Sequence, residues 1–203
     1  EAAIWINAPV SLSSAIGTFA TGWLATKLYR KHPGAIAWVP GIGLALSVPF
    51  YIYAFTTDNL LYAAIGLVIA GFVKYGYLAA QYTIGQGVVT MRVRAMATAV
   101  LLFVANLIGY GFGPLFIGAI SDIFFVSGVA ELGVAAEELT RNQCHPRSIG
   151  ELSDNLQTVC GEVYSQSLQS AMVIMAMLYI ASSLFFLITW RRLDKDMVDR
   201  NPS

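Results

Sequence analysis

Five long windows of the chain carry no charged residue: Ala2 to Thr26, Gly34 to Thr57, Leu60 to Val73, Ala95 to Ser121 and Ser165 to Trp190. A helix that crosses about 30 Å of hydrocarbon needs about 20 mostly apolar residues. Four windows reach that length unaided. The third does so once Lys74 is included, and then runs from Leu60 to about Gly85. The composition agrees, with 57% hydrophobic residues, 12% charged and a mean hydropathy of +0.64. Soluble domains carry about 25% charged residues. Half that density cannot coat a water-soluble globule. The pattern predicts an all-α integral membrane protein with spans at Ala2–Ala25, Gly34–Phe55, Leu60–Gly85, Ala95–Ser121 and Ser165–Trp190. Glu1 opens directly onto apolar sequence, without a charged leader or cleavage site. The first stretch therefore reads as a span and not a signal peptide, and the chain as a piece of a longer protein.

Placing the spans sorts the charges. Lys27, Arg30, Lys31, Arg92, Arg94, Arg191, Arg192, Lys195 and Arg200 fall on one side, leaving only Arg141 and Arg147 on the other and Lys74 within a span. The positive-inside rule makes the nine-residue side cytoplasmic, and the C-terminal tail, 191–203, lies there. The segment from Asp122 to Tyr164 becomes a long extracytoplasmic loop. Within it, Val129 to Leu139 has helical spacing. Ser148 and Glu151 have the form of a capping box, predicting a second short helix toward Cys160. Cys144 and Cys160 are the two cysteines of the chain. Outside the cytoplasm they can form a disulfide; the other reading is a pair of free thiols. With His145 they lack a fourth ligand and metal-type spacing, so no metal is expected.

Lys74 is the sharpest single feature. A lysine near the middle of a span costs about 3 kcal/mol on insertion scales. No span contains an Asp or Glu. The expected partner is therefore an acid outside this chain, a lipid headgroup reached by snorkelling, or an anionic substrate. Tyr77 and Gln81 follow at three and seven residues, on the same helical face. The trio could hold a carboxylate or phosphate, or each side chain could simply pack. Asn7, Ser11, Ser14 and Thr18 form a polar stripe on the first span, readable as cavity lining or as helix-packing glue. Asn106 and Tyr110 share a face of the fourth span, where the central Asn106 needs a hydrogen bond. Gly109 and Gly113 give a G-x-x-x-G contact spacing, and Gly113-Pro114 predicts a kink.

Other chemistries find no support in the residues. The glycines of the fourth span lie inside a membrane segment and not in a strand–loop–helix context, so they do not make a dinucleotide fingerprint. There is no P-loop and no nucleophile–base or paired-carboxylate arrangement. The reading is a protein without a cofactor or enzymatic activity. Zero net charge gives no sign of nucleic-acid binding.

The stretch Gly22-Trp-Leu-Ala-Thr-Lys27-Leu-Tyr-Arg30-Lys31 resembles the second-half copy of the major facilitator signature, G-x-x-x-D-R-x-x-R-R, with Thr26 standing where the family has Asp. Met91-Arg-Val-Arg-Ala-Met-Ala-Thr-Ala-Val100, Asn106-Leu-Ile-Gly and Gly111-Phe-Gly-Pro114-Leu-Phe-Ile-Gly118-Ala-Ile-Ser-Asp122, with Glu1-Ala-Ala-Ile-Trp5, resemble the bacterial members of the spinster branch. The resemblance covers most of the chain except the outer loop and numbers the spans as helices eight to twelve of twelve. It implies five helices of a C-terminal six-helix bundle in a monomeric, alternating-access carrier of the bacterial inner membrane. The rest of the carrier is then a missing N-terminal half that holds the proton-handling acid. The implied cargo is an amphiphilic or anionic solute, such as a lysolipid or a sphingosine-phosphate-like lipid. In this reading Lys74, Tyr77, Gln81, Asn7, Ser11, Asn106 and Tyr110 face the cavity. Phe72 and Phe103 accommodate a tail. Gly22, Lys27, Arg30 and Lys31 brace the cytoplasmic face, Arg92 and Arg94 cap the entry to the fourth span, and Gly113-Pro114 flexes. The alternatives are a polar organic-anion or drug porter of the same superfamily, and a non-transporting membrane receptor that uses the 122–164 loop.

Overall fold

The computed structural model describes residues 2–29, 31–32, 34–131, 144 and 154–196. They are helical almost throughout. The helices are α1 (Ala2–Tyr29), α2 (Ala35–Thr56), α3 (Leu60–Lys74), α4 (Gly76–Gly87), α5 (Arg94–Asn106), α6 (Gly113–Glu131) and α7 (Asp154–Asp196). A 3-10 turn over Met91–Val93 leads into α5, and a π-helical segment over Leu107–Phe112 joins α5 to α6. Among the described residues, four stretches are long and apolar enough to cross a membrane: Ala35–Thr56, Leu60–Gly87, Met91–Ala130 and Gln157–Arg191. α1 has the length, 28 residues, but its polar stripe leaves it less apolar than these four.

Several elements differ from the sequence expectation. The third span is not one helix. It breaks at Tyr75, directly after Lys74. Asp154 starts a helix that runs unbroken to Asp196, so the segment leading to Cys160 belongs to α7 and is no separate short helix. The proposed capping pair, Ser148 and Glu151, and most of Val129–Leu139 lie outside the described residues. The irregularity expected at Gly113-Pro114 sits one turn earlier. Proline has no N–H for the carbonyl four residues back, and its ring crowds that carbonyl. The backbone widens ahead of it, and the Gly113 N–H reaches the Ile108 carbonyl, five residues back. A π turn of this kind is a recognised way for a helix to absorb such a conflict.

The chain forms two compact units, Glu1–Ala105 with Ala176–Ser203, and Asn106–Met175. In the first, α1 and α2 pack on α3 and α4. The buried residues are small, among them Ala35, Ala37, Ala54, Ala70, Ala80 and Ser47, while Leu12, Phe19 and Met91 are exposed. This reverses the pattern of a soluble core. Hydrocarbon solvates large apolar side chains as well as a protein interior does, so membrane helices associate through small residues that let backbones approach. Gly17 and Gly76 mark two such approaches. A Cβ at Gly17 would overlap the Phe72 carbonyl, and one at Gly76 would overlap the Thr21 side chain. The loop from Thr57 to Asn59 is short, and the Asn59 side chain caps α3 by accepting the Leu61 N–H at 3.0 Å. α2 and α3 therefore run antiparallel, with Gly66 beside Ala54 and Gly43 beside Val73. The Ser183 hydroxyl of α7 donates to the Gly41 carbonyl at 2.7 Å, one residue past the buried Pro40.

In the second unit, Cys144 and Cys160 form a disulfide with a Cα–Cα separation of 5.0 Å. It is buried with Phe125, Val129 and Val163. Ser121 and Ser167, also buried, share a hydrogen bond at 3.4 Å between α6 and α7.

Candidate functional site

Lys74 occupies the last position of α3, midway along the third span. In a helix the side chain leans toward the N-terminus. Its ammonium ends among three tyrosines. The Nζ donates to the Tyr179 hydroxyl at 3.2 Å. It lies 4.7 Å from the Tyr75 ring, 5.0 Å from Tyr179 and 5.3 Å from Tyr51. The Tyr51 and Tyr179 rings pack together at 5.6 Å, and Phe55 stacks behind Tyr51 at 5.8 Å. This corrects the expectation that the lysine's partner must come from outside the chain. Cation–π contacts contribute about 0.5–2 kcal/mol each. Three of them with one hydrogen bond match the insertion cost of about 3 kcal/mol. All three partners are neutral, so they hold the cation without cancelling its charge.

The break beside Lys74 is supported from α1. The Thr18 hydroxyl donates to the Tyr75 carbonyl at 3.3 Å as well as to Ser14 at 2.9 Å. Ser13 donates to the Val68 carbonyl at 2.6 Å, and the buried Ser14 returns to Val10 at 2.7 Å. The polar stripe therefore divides. Ser14 and Thr18 pack α1 on the third span, and Asn7 and Ser11 stay exposed.

Tyr77 is half-buried, its ring 6.4 Å from that of Tyr75. Gln81 lines a void of about 280 Å³ with Ile84, Gly85, Leu101, Phe185, Phe186 and Thr189. The tyrosines that meet the ammonium come from α2, from α7 and from the break itself. They went unread because their approach depends on tertiary register. Val73 lies beside Gly43 and Gly66 beside Ala54, which sets Tyr51 about two turns along α2 from the residue facing Lys74. Only the combined reach of a lysine and a tyrosine spans that offset. The Lys74-Tyr75-Gly76 sequence, a cation before an aromatic and a glycine, was the one local hint.

Asn106 and Tyr110 belong to the second unit and are exposed. The backbone enters the π segment between them, so the spacing that aligned them on one face no longer holds. In the signature stretch the Thr26 hydroxyl bonds back to the Gly22 carbonyl at 2.8 Å, and the Lys27 ammonium sits 4.8 Å over the Trp23 ring. Gly22 faces Ala79 of α4, whose Cβ is 3.6 Å from where a Cβ would stand. Lys31 and Arg92 are exposed and Arg94 is half-buried at the start of α5. Arg30 lies outside the described residues.

No protein-family model matches the chain, and neither does any curated protein sequence. Solved structures do. A crystal structure of a bacterial homologue of the human lysosomal transporter Spinster, inward-facing and unoccupied, matches 97% of this chain at 35% identity and a TM-score of 0.82. The inward-facing, occupied conformation matches 94% at 34% identity and 0.80. The chain spans 41% of the length of each. A likeness of this closeness over nearly the whole of the chain places it in the spinster branch of the major facilitator superfamily, as a part of that transporter bundle.

Proposed function

We propose that the chain is the C-terminal portion of a secondary active transporter that moves an amphiphilic solute with an anionic headgroup by alternating access. The observation that carries this reading is Lys74. A fixed positive charge stands midway through a span, and neutral tyrosines hold it there. In a low-dielectric setting such a charge attracts an anion far more strongly than it would in water. A phosphate or carboxylate headgroup supplies that anion. A lysophospholipid or a sphingosine-phosphate-like lipid combines such a head with an apolar tail. The likeness to the bacterial Spinster homologues supports the transport class. Proton coupling belongs to this proposal as a contribution of the rest of the protein, which supplies the acid that these spans lack.

The orientation follows the charge map. The disulfide-bearing segment favours an oxidising compartment, and the basic turns favour the cytoplasm. In this reading the protein sits in the bacterial inner membrane with its C-terminus in the cytoplasm. The test uses the full-length protein in proteoliposomes. Flux is measured for amphiphiles of matched tail that carry a phosphate, a carboxylate or a neutral head. Anionic heads should be carried and should compete with one another. Equal flux of the neutral-headed amphiphile would contradict the headgroup reading. Binding without flux, lost on deleting residues 132–143, would instead identify a receptor.

A further inference from the structure

The tyrosine that accepts from Lys74 has a hydrogen of its own. An ammonium carries three donors and no acceptor, while a phenol is donor and acceptor at once. Tyr179 accepts from the Lys74 Nζ at 3.2 Å, which commits its oxygen and leaves its O–H to point elsewhere. Among the described residues, its polar and ring contacts are the Lys74 ammonium and the Tyr51 ring. Neither offers an acceptor oxygen to that hydrogen. The ammonium is in a similar position. One N–H goes to Tyr179. The ring contacts, at 4.7, 5.0 and 5.3 Å from the centroids, attract the charge as a whole and fix no N–H direction. Two N–H groups and one O–H, on two neighbouring atoms, are left to donate.

The surroundings do not use these donors. The spans that bring Tyr51, Lys74 and Tyr179 together, 35–56, 60–87 and 165–190, contain no Asp or Glu. The Tyr75 carbonyl at the helix break already accepts from the Thr18 hydroxyl and from the Leu78 N–H. Tyr51, Lys74 and Tyr179 are all half-buried, so the cluster is not sealed. A phenol that accepts from a cation is polarised and becomes a stronger donor. A single positive charge with three donors around it suits a group that has three oxygens and more than one negative charge. A terminal phosphate has both, with a charge of about −1.5 to −2 at neutral pH and three acceptor oxygens. A carboxylate has one charge and two oxygens, and the two N–H groups serve it without the phenol.

We propose that Tyr179 of α7 is a headgroup ligand beside Lys74, and that the pair selects a phosphate monoester over a carboxylate. The proposal rests on the anionic-headgroup reading above and adds to it a residue and an order of preference. The Lys74 Nζ supplies the charge and donates to two phosphate oxygens. The Tyr179 O–H, held beside it by the hydrogen bond between them, donates to the third. Tyr51 positions the phenol through its ring contact at 5.6 Å.

The test is calorimetric binding of dodecyl phosphate, dodecanoate and dodecanol to the full-length protein in nanodiscs. It is run at about pH 8, above the second phosphate ionisation at about 6. The wild type should bind the phosphate about tenfold more tightly than the carboxylate, the worth of one hydrogen bond to a charged group. Tyr179→Phe should bring that ratio close to one by weakening the phosphate. The ratio is internal to one protein, so a general loss of stability does not move it. Tyr179→Met, which removes the ring as well, should lose the ratio in the same way. Lys74→Met should weaken both anions. A ratio that stays at the wild-type value in Tyr179→Phe and Tyr179→Met, while Lys74→Met still weakens both anions, overturns this proposal and leaves the headgroup reading standing. Dodecanol bound as tightly as the two anions overturns the headgroup reading and the proposal with it.

Discussion

Among the described residues, Lys74 is a cation within a span that is held by neutral rings, with no acid beside it. Rings from α2, from α7 and from the helix break each offer a π face, and Tyr179 adds a hydroxyl. Tyr179→Phe removes the hydroxyl and keeps the ring. It should cost about 1 kcal/mol of stability, the usual net value of one hydrogen bond, measured by denaturant unfolding of the full-length protein in detergent. Lys74→Met removes a buried charge whose partners are neutral. Replacing buried charge with an apolar side chain of similar size is often neutral or stabilising. The melting temperature of Lys74→Met should therefore match or exceed that of the wild type. A large fall would mean that the cage exists for stability alone. The lysine was legible in the sequence because it interrupts an apolar run. Its cage was not, because Tyr51 and Tyr179 gain meaning only once α2, α3 and α7 are in register.

At the scale of elements, spans and turns were legible where a single local rule decides them. Charge-free windows marked α2, α3 and the apolar part of α7, and Asn59 caps α3 as a short polar residue should. Three features depended on competing neighbours. The helix break at Tyr75 needs Thr18 on another helix to take up its carbonyl. The π segment was foreshadowed by Pro114, but its place, one turn earlier, follows from where the widened backbone finds a bond. α7 outran its charge-free window at both ends, because charged residues such as Glu162, Arg191 and Arg192 do not end a helix. Two outcomes follow. Gly17→Ala pushes a methyl into the Phe72 carbonyl and should destabilise the protein by about 1–3 kcal/mol, as overpacking does; an unchanged unfolding midpoint would contradict the close α1–α3 contact. Pro114→Ala restores a donor for the Tyr110 carbonyl, so hydrogen exchange at residues 107–114 should slow. Unaltered exchange would mean that proline is not the cause of the π turn.

For the whole molecule, the lopsided charge map and the disulfide are independent arguments for one orientation. A loop of 16 residues closed by Cys144 and Cys160 restricts the unfolded chain, and in the chain-entropy model that is worth about 3 kcal/mol. Replacing both cysteines by serine should lower stability by about 2–4 kcal/mol, and a reducing agent should do the same to the wild type. Equal stability with and without the bond would remove the disulfide from the argument. The family and the all-helical bundle were legible from motif and composition. The cargo was not, because headgroup recognition depends on three-dimensional neighbours and on the portion of the transporter beyond these 203 residues.

The deciding experiment is the headgroup preference of flux in proteoliposomes of the full-length protein, compared between wild type, Lys74→Arg and Lys74→Met. If the caged cation receives an anionic headgroup, Lys74→Met should cut the apparent affinity for phosphate-bearing amphiphiles about tenfold, the equivalent of 1.4 kcal/mol. Lys74→Arg should retain most of it, and the melting temperature of neither variant should fall. Flux and affinity that are unchanged in Lys74→Met would contradict the reading, and would leave Lys74 as a structural cation held by tyrosines.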